Sequence, residues 1–519
     1  MKKLFICVMT SLCSTFAFAE GELVVNKVTI PVGGSQTMEV TIGSPTTFTA
    51  FQFDMKLPKG VSVTGASVTN PGAKRKVEIP AQVDATTNTW RFLSYDEENA
   101  LLAEGTKLNV TLAAAATAEA GKAEAGSIVL VTPAGAATEV NVVPSVEISL
   151  ETPITISGAG QKTFCSSRNL NFKNSELKAY IVTGFDKNSG KIWLTRVYDV
   201  PAGTGILLMG DANTYNIPEV AESKTIYKNM LVGTLTDLSI NRIDGKNTNY
   251  YLSKKDGVVG FYLTKETNQS IPAGSAYLPL PTTIEAVGTA GNKVSIAMNK
   301  YGMMSYCSDQ SLDFSEEANM KAYIVTGFDK NGIVRLTRVK QVPANIGMVL
   351  LAPENNAKNY DISTTSIQQT YANMLQGTLV EKTVTRDETI EGVDYVNYYV
   401  SAKKNASDVY EAGFYWCATG GTTISANRAW LPVPKSMTSL AASRGLNVSE
   451  DVMPVEFVDD VIYMSVFGST DVENDGTTTI RSIGEVQTDD VWYNLKGQRI
   501  DTPTKKGLYI KNGKKVIVR

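Results

Sequence analysis

The sequence predicts an all-β chain of tandem β-sandwich domains that ends in a small β-hairpin module. Three observations predict it. Runs rich in Val, Ile, Thr, Tyr and Phe alternate with period two and are broken roughly every 8–12 residues by Gly, Pro or Asn, the pattern of half-buried strands in a sandwich. An eleven-residue segment, KAYIVTGFDKN, occurs twice, at 178–188 and at 321–331. The last residues, 492–519, form a separate basic pattern of short strands and tight turns.

Composition bounds the rest. A chain of 519 residues suggests three or four domains at roughly 150 residues each. With 43% hydrophobic and 19% charged residues there is enough apolar material for several cores. The net charge is −3, from 49 basic and 52 acidic residues, which provides no electrostatic reason for a nucleic-acid partner. The chain contains no histidine. That excludes Ser-His-Asp and Cys-His catalysis within this chain, HExxH metal sites and any imidazole acid–base step, but leaves catalysis by two carboxylates open.

Residues 1–19 carry the pattern of a secretory signal peptide. Lys2 and Lys3 form a positive start, Leu4 to Leu12 is mostly apolar, and Ala17, Phe18 and Ala19 make a small-x-small cleavage site before Glu20. The apolar run is too short to span a bilayer, and no later run reaches that length, so no transmembrane helix is predicted. Cys13 follows Leu12, which favours simple export over lipidation. Of five cysteines, Cys7 and Cys13 leave with the signal. Cys165, Cys307 and Cys417 remain, so at most one internal disulfide is possible and disulfides do not organise the fold.

Residues 20–149 alternate strand-like runs, such as ELVVNKVTI (22–30), TMEVTI (37–42), FTAFQFDMK (48–56) and VSVT (61–64), with the turns PVGG (31–34) and LPKG (57–60). Leu101 to Leu112 continues the pattern, Ala100 to Ala103 is compatible with a short helix, and the Ala-rich stretch 113–125 reads as a loop. On the segments VGGSQTMEVTI (32–42), AFQFDMKLPKG (50–60) and LLAEGTKLNVTL (101–112), this region resembles cohesin-like β-sandwich domains. That resemblance implies a binding module. Cohesins bind dockerins in cellulosomes, and related sandwiches elsewhere have adhesive or structural roles.

The two copies of KAYIVTGFDKN belong to a longer repeat. Phe164, Cys165 and Ser166 match Tyr306, Cys307 and Ser308, LTR at 194–196 matches 336–338, and VPA at 200–202 matches 342–344. Asn229, Met230 and Leu231 match Asn373, Met374 and Leu375. Tyr250 and Tyr251 match Tyr398 and Tyr399. The offset drifts only from 142 to 153 residues, so two domain-sized copies are predicted, at 150–283 and 292–436, each able to bury its own core. Residues 437–480 read as a linker. Within it, DVENDG (471–476) starts like a calcium loop, but its twelfth position is Ser482 rather than Glu, and it reads as a solvated turn.

Residues 481–519 form the last predicted unit. Within 492–519 there are eight Lys or Arg and one Asp. WYNLKGQRI (492–500) and KGLYIKNGKKVIVR (506–519) predict two hairpins through Lys-Gly and Asn-Gly turns. The pattern resembles the C-terminal β-module of exported Bacteroidetes proteins, which is related to type IX sorting domains. The resemblance implies a surface or extracellular address.

No P-loop, dinucleotide fingerprint or nucleophile elbow is present, and no cofactor or metal site is predicted. The candidate binding residues are Tyr180, Phe185 and Asp186 with their counterparts Tyr323, Phe328 and Asp329. A Thr-Gly-Phe-Asp turn can present a ring and a carboxylate to a glycan or a protein. The same segment also reads as a buried strand entering a turn, retained by duplication. The prediction is a non-catalytic, exported surface-binding or adhesion protein, with a glycan or protein ligand, or a dockerin-like or envelope partner. An extracellular hydrolase or accessory chain using two carboxylates, and a structural envelope subunit, are the alternatives.

Overall fold

The computed structural model describes residues 23–69, 75–78, 82–140, 145–329, 333–355, 357–404 and 410–437, and the strand segments 452–453, 455–458, 461–467, 492–493, 499–500, 507–511 and 514–518. The signal segment and the 471–476 turn lie outside them. The chain is all-β. Among the described residues, helix is confined to the 3-10 turn Pro45–Thr47 and a short turn starting at Lys435, and no helix is long and apolar enough to cross a membrane.

The first unit is a two-sheet sandwich. One sheet runs Leu23–Val25, Ser35–Ile42, Lys107–Ala114, Val61–Val68. The other is built on Ser145–Ile156, Gly121–Val131, Ala50–Lys56, Thr89–Asp96 and Arg75–Glu78. Alternate residues of Ala50–Lys56 and Lys107–Ala114 are buried, as period-two patterning requires. Phe53 and Phe92 stack at the centre, ring centroids 4.9 Å apart. Two local expectations change. Ala100 to Ala103 is not helical, and much of the Ala-rich stretch is strand, with Ala114, Ala123 and Ala125 buried in the core on alternate positions.

The strand Ser145–Ile156 joins this unit to the next. Its first half pairs with Gly121–Val131 and, in parallel, with Val28–Pro31, while its second half pairs with Asn213–Pro218. Val146, Ile148 and Leu150 enter the first core, and Ile154 and Ile156 enter a core of the first repeat. The boundary expected near residue 150 therefore falls inside a continuous strand. Arg168 tightens the joint: it pairs with Glu219 at 2.5 Å and donates to the Ala116 carbonyl at 2.6 Å.

Each repeat packs two cores against opposite faces of its central strand, Lys178–Asp186 or Lys321–Phe328. In the first copy Tyr180 and Val182 face one core and Ala179 and Ile181 the other. A strand covered on both faces needs a continuous apolar run, and KAYIVTGF supplies it. Both copies carry a bulge at the same place, between Val182 and Gly184 and between Val325 and Gly327. The bulged threonines lie buried against a cross-strand partner, Thr183 against Thr195 at 2.8 Å and Thr326 against Thr337 at 2.7 Å. An asparagine stitches each bulge. Asn229 accepts from the Val182 and Leu231 amides at 3.0 Å and donates to the Gly205 carbonyl at 2.6 Å. Asn373 repeats this with Val325, Leu375 and Gly347.

The two repeats exchange short strands. Ile226–Tyr227 of the first pairs with Lys321–Phe328 of the second, and Gln369–Tyr371 of the second pairs with Lys178–Asp186 of the first. Flanking bonds match as well: Lys228 N to Thr326 O and Ala372 N to Thr183 O are both 2.8 Å. The exchange explains the glycine in the shared motif. A Cβ on Gly327 would strike the Ile226 carbonyl, and one on Gly184 would strike Trp193 and Tyr371.

Residues 452–467, expected to lie in a linker, instead complete both repeats. Val461–Phe467 inserts between Lys191–Val197, with which it is antiparallel, and Val258–Leu263, with which it is parallel. Val455–Val458 pairs in parallel with Val334–Val339, and Val452–Met453 pairs antiparallel with Tyr410–Trp416. The physical reason is edge satisfaction: each repeat's own strands leave backbone groups at this seam that need partners. The terminal strands 492–493, 499–500, 507–511 and 514–518 form a separate four-stranded antiparallel sheet.

Two substitutions test this arrangement. Asn229→Ala removes three half-buried hydrogen bonds and is expected to lower unfolding free energy by about 2 kcal/mol in urea melts. Gly327→Ala is expected to be worse than an Ala-for-Gly change on an open strand such as Gly126→Ala, where a Cβ meets nothing within 4 Å. Equal thermal midpoints for the two glycine variants would contradict the strand exchange.

Candidate functional site

The four aromatic residues proposed from sequence are core residues. Tyr180 is 7% exposed, Phe185 4%, Tyr323 2% and Phe328 0%. They are buried because their strand is packed on both faces and its end is capped by the other repeat, so a ligand at the surface does not meet these rings. The two aspartates close turns. Asp186 accepts from the Asn188 amide at 2.9 Å and from the Ser189 hydroxyl at 2.7 Å, and Asp329 accepts from the Ile333 amide at 2.8 Å. Of the six, Asp186 alone lines the cleft described next.

A cleft of about 290 Å³ opens where the repeats meet. Its wall is Trp193 of the first repeat stacked on Tyr371 of the second, centroids 5.1 Å apart. Tyr371 arrives on the exchanged strand, and its hydroxyl is held in place. It donates to the Gln341 carbonyl at 2.7 Å and lies 3.0 Å from the Gln369 side-chain oxygen. Gln369 in turn donates to Gln341 at 3.0 Å, and Gln341 to Asp313 at 2.7 Å, a relay that orients both amides. Lys191, Arg338, Lys340 and Asp186 supply charge around the rim. The cleft therefore offers a π-surface, fixed amides and cations within one concavity, a set suited to holding a polar ligand with a flat apolar face.

The equivalent position in the other half of the pseudo-symmetric pair is built differently. Where the first repeat has Trp193, the second has Arg335. Arg335 is buried, lies over the Tyr227 ring at 5.6 Å, and donates across the repeat boundary to the Arg196 carbonyl at 2.9 Å. Tyr227 donates to the Asp199 carbonyl at 2.8 Å. One junction is thus plugged by a guanidinium and the other is lined by an indole.

Among the described residues no three Asp, Glu or Cys cluster as metal ligands. Cys165, Cys307 and Cys417 are free and buried. Each repeat cysteine packs over a glycine: a Cβ on Gly233 would lie 2.6 Å from the Cys165 sulfur, and one on Gly377 2.5 Å from that of Cys307. Burial raises all three thiols, Cys307 and Cys417 to about 11, with Asp309 adding to the effect on Cys307. The sequence reading missed Trp193 and Tyr371 because the cleft joins residues from separate repeats. The available signal was the tyrosine two residues before each Asn-Met-Leu, at 227 and 371.

No protein-family model matches the chain, and no curated protein matches it. Among solved structures it is similar to a non-cellulosomal cohesin from the archaeon Archaeoglobus fulgidus, with 12% identity over 25% of this chain and 91% of the cohesin, TM-score 0.20. The sixth cohesin of Acetivibrio cellulolyticus scaffoldin B, solved in complex with a Cel5 dockerin, matches with 13% identity over 25% of this chain and 99% of that chain, TM-score 0.20. BcpA, the major pilin subunit of Bacillus cereus, matches with 13% identity over 50% of this chain and 67% of its own, TM-score 0.20.

The thiols provide a pH test. An unfolded thiol ionises near 9.0, whereas the buried ones at positions 307 and 417 hold their protons to about 11. Their contribution to stability is full below the lower value and is lost as pH rises through the upper one. Urea midpoints are expected to fall over that window, and to fall less in Cys307→Ala when each protein is referred to its own neutral-pH value. In native protein all three thiols are expected to resist a disulfide reagent at mildly alkaline pH and to react on denaturation.

Proposed function

We propose that the chain is an exported, non-catalytic surface protein that binds a glycan in the cleft between its two repeats. The observation that carries the reading is the Trp193–Tyr371 wall, assembled from both repeats and flanked by the oriented amides of Gln341 and Gln369. Sugar rings present one apolar face of C–H groups and a rim of hydroxyls. An aromatic wall takes the first, and amides with neighbouring charged groups take the second. The export part of the proposal rests on the pattern of residues 1–19 and on the terminal module's resemblance to sorting-related domains. The duplication then serves to build one composite site at the junction, since Arg335 occupies the place that Trp193 has in the other half.

The test is a glycan screen on the purified full chain, followed by calorimetry with the best oligosaccharide. Trp193→Ala is expected to weaken binding by at least about tenfold, roughly 1.4 kcal/mol. Arg338→Ala is expected to weaken it with an unchanged thermal midpoint. Unaltered affinity in both variants, capture of protein partners alone, or turnover of the bound sugar would each reject the glycan-binding cleft.

A further inference from the structure

The segment 452–467 makes no covalent link to the strands it completes, yet its last part, Val461–Phe467, occupies the middle of the first repeat's sheet. In the first repeat it bridges two strands that are not otherwise paired with each other. Five register pairs join it to one side, Lys191↔Ser465 through Thr195↔Val461, and two join it to the other, Phe261↔Val466 and Tyr262↔Phe467. In the second repeat two shorter strands extend the edges of two sheets, Val455–Val458 beside Val334–Val339 and Val452–Met453 beside Tyr410–Trp416. Met464 is buried in the first repeat's core beside Ile192, Leu194 and Phe261, so the segment is a plug as well as a strand. It enters the two repeats with opposite polarity: the equivalent strands 191–197 and 334–339 receive it antiparallel and parallel respectively.

We propose that residues 452–467 are an exchangeable strand: the seams that this segment fills within its own chain also accept it from a second copy, linking copies of the protein by strand donation. Three features support this. Every contact the segment makes is available again in a neighbour, so the interior energetics of donated and self-inserted forms cancel and only the cost of association separates them. Residues 438–451 connect the segment to the second repeat, and a chain of that length reaches up to roughly 45 Å when extended, enough to span to an adjacent copy. The repeats already trade strands with each other at 226–227 and 369–371, so the sheet edges of this fold accept strands from outside their own unit. Self-insertion competes at an effective concentration of the order of millimolar, which makes the dilute chain a monomer and favours donation where copies are crowded.

The experiment uses full-length chains carrying single cysteines at the paired positions 191 and 465. A double variant, Lys191→Cys with Ser465→Cys, is expected to close an internal disulfide and run as a monomer, because cross-strand partners lie within disulfide reach. Chains carrying Lys191→Cys alone, concentrated and mixed with chains carrying Ser465→Cys alone, are then oxidised. Donation predicts a cross-linked dimer that grows with protein concentration and exceeds, several-fold, the product from Lys191→Cys mixed with the exposed-site control Lys265→Cys. It also predicts that the oxidised double variant no longer forms dimers. No excess over the control, with the double variant closing normally, would show that the strand stays in its own chain and would overturn the proposal. So would failure of the double variant to close, which would contradict the pairing itself.

Discussion

Backbone hydrogen bonding at one seam governs the two repeats. The first copy builds a sheet with a gap and the second leaves two open sheet edges, and unpaired N–H and C=O groups there cost about 1–3 kcal/mol apiece when they are shut away from water. The short run at 452–467 fills the gap and covers both edges in one pass. Because that run crosses from one copy into the other, it also ties them together, and the reciprocal strands 226–227 and 369–371 tie them a second time. The cleft is a product of these ties. Tyr371 meets Trp193 only because its strand has been lent to the neighbouring sheet.

Duplication followed by divergence accounts for the asymmetry of the junction. Two equivalent tyrosines, 227 and 371, sit on the exchanged strands and donate to equivalent carbonyls, at Asp199 and Gln341. Their ring neighbours differ, Arg335 in one place and Trp193 in the other. A guanidinium that donates to a backbone carbonyl seals its side, whereas an indole packed on a phenol leaves a concave face. Both copies therefore line the one open cleft, Trp193 from the first and Tyr371, Gln341 and Gln369 from the second.

Much of the fold was legible in the sequence. Period-two alternation, Gly and Pro breaks and the twofold KAYIVTGFDKN marked an all-β chain with two equivalent units, since strand patterning is local and survives without tertiary information. The identity of that motif was easier to see than its reason. A run buried on both faces and overlaid by a strand from the other copy tolerates few changes, and Gly184 and Gly327 have no room for a side chain. The turn-like context of the candidate rings is compatible with either an exposed or a buried strand, and the folded sheet turns Tyr180, Phe185, Tyr323 and Phe328 into the cores. The strand at 452–467 was hidden for the opposite reason. Its partners lie between roughly 40 and 270 residues away in the chain, and no local pattern distinguishes a donated strand from an apolar stretch of linker.

The position of that strand after both repeats has a consequence for biosynthesis. Repeat 1 has all of its own residues once the chain passes position 281, yet its sheet stays incomplete until residues 461–467 are made. At typical elongation rates that interval lasts roughly 10–40 s. During it the emerging polypeptide is held back from its final packed form, so completion of both copies waits until residues 452–467 have been made. Of the pieces that build the two copies, the one that locks them together is the last to be synthesised.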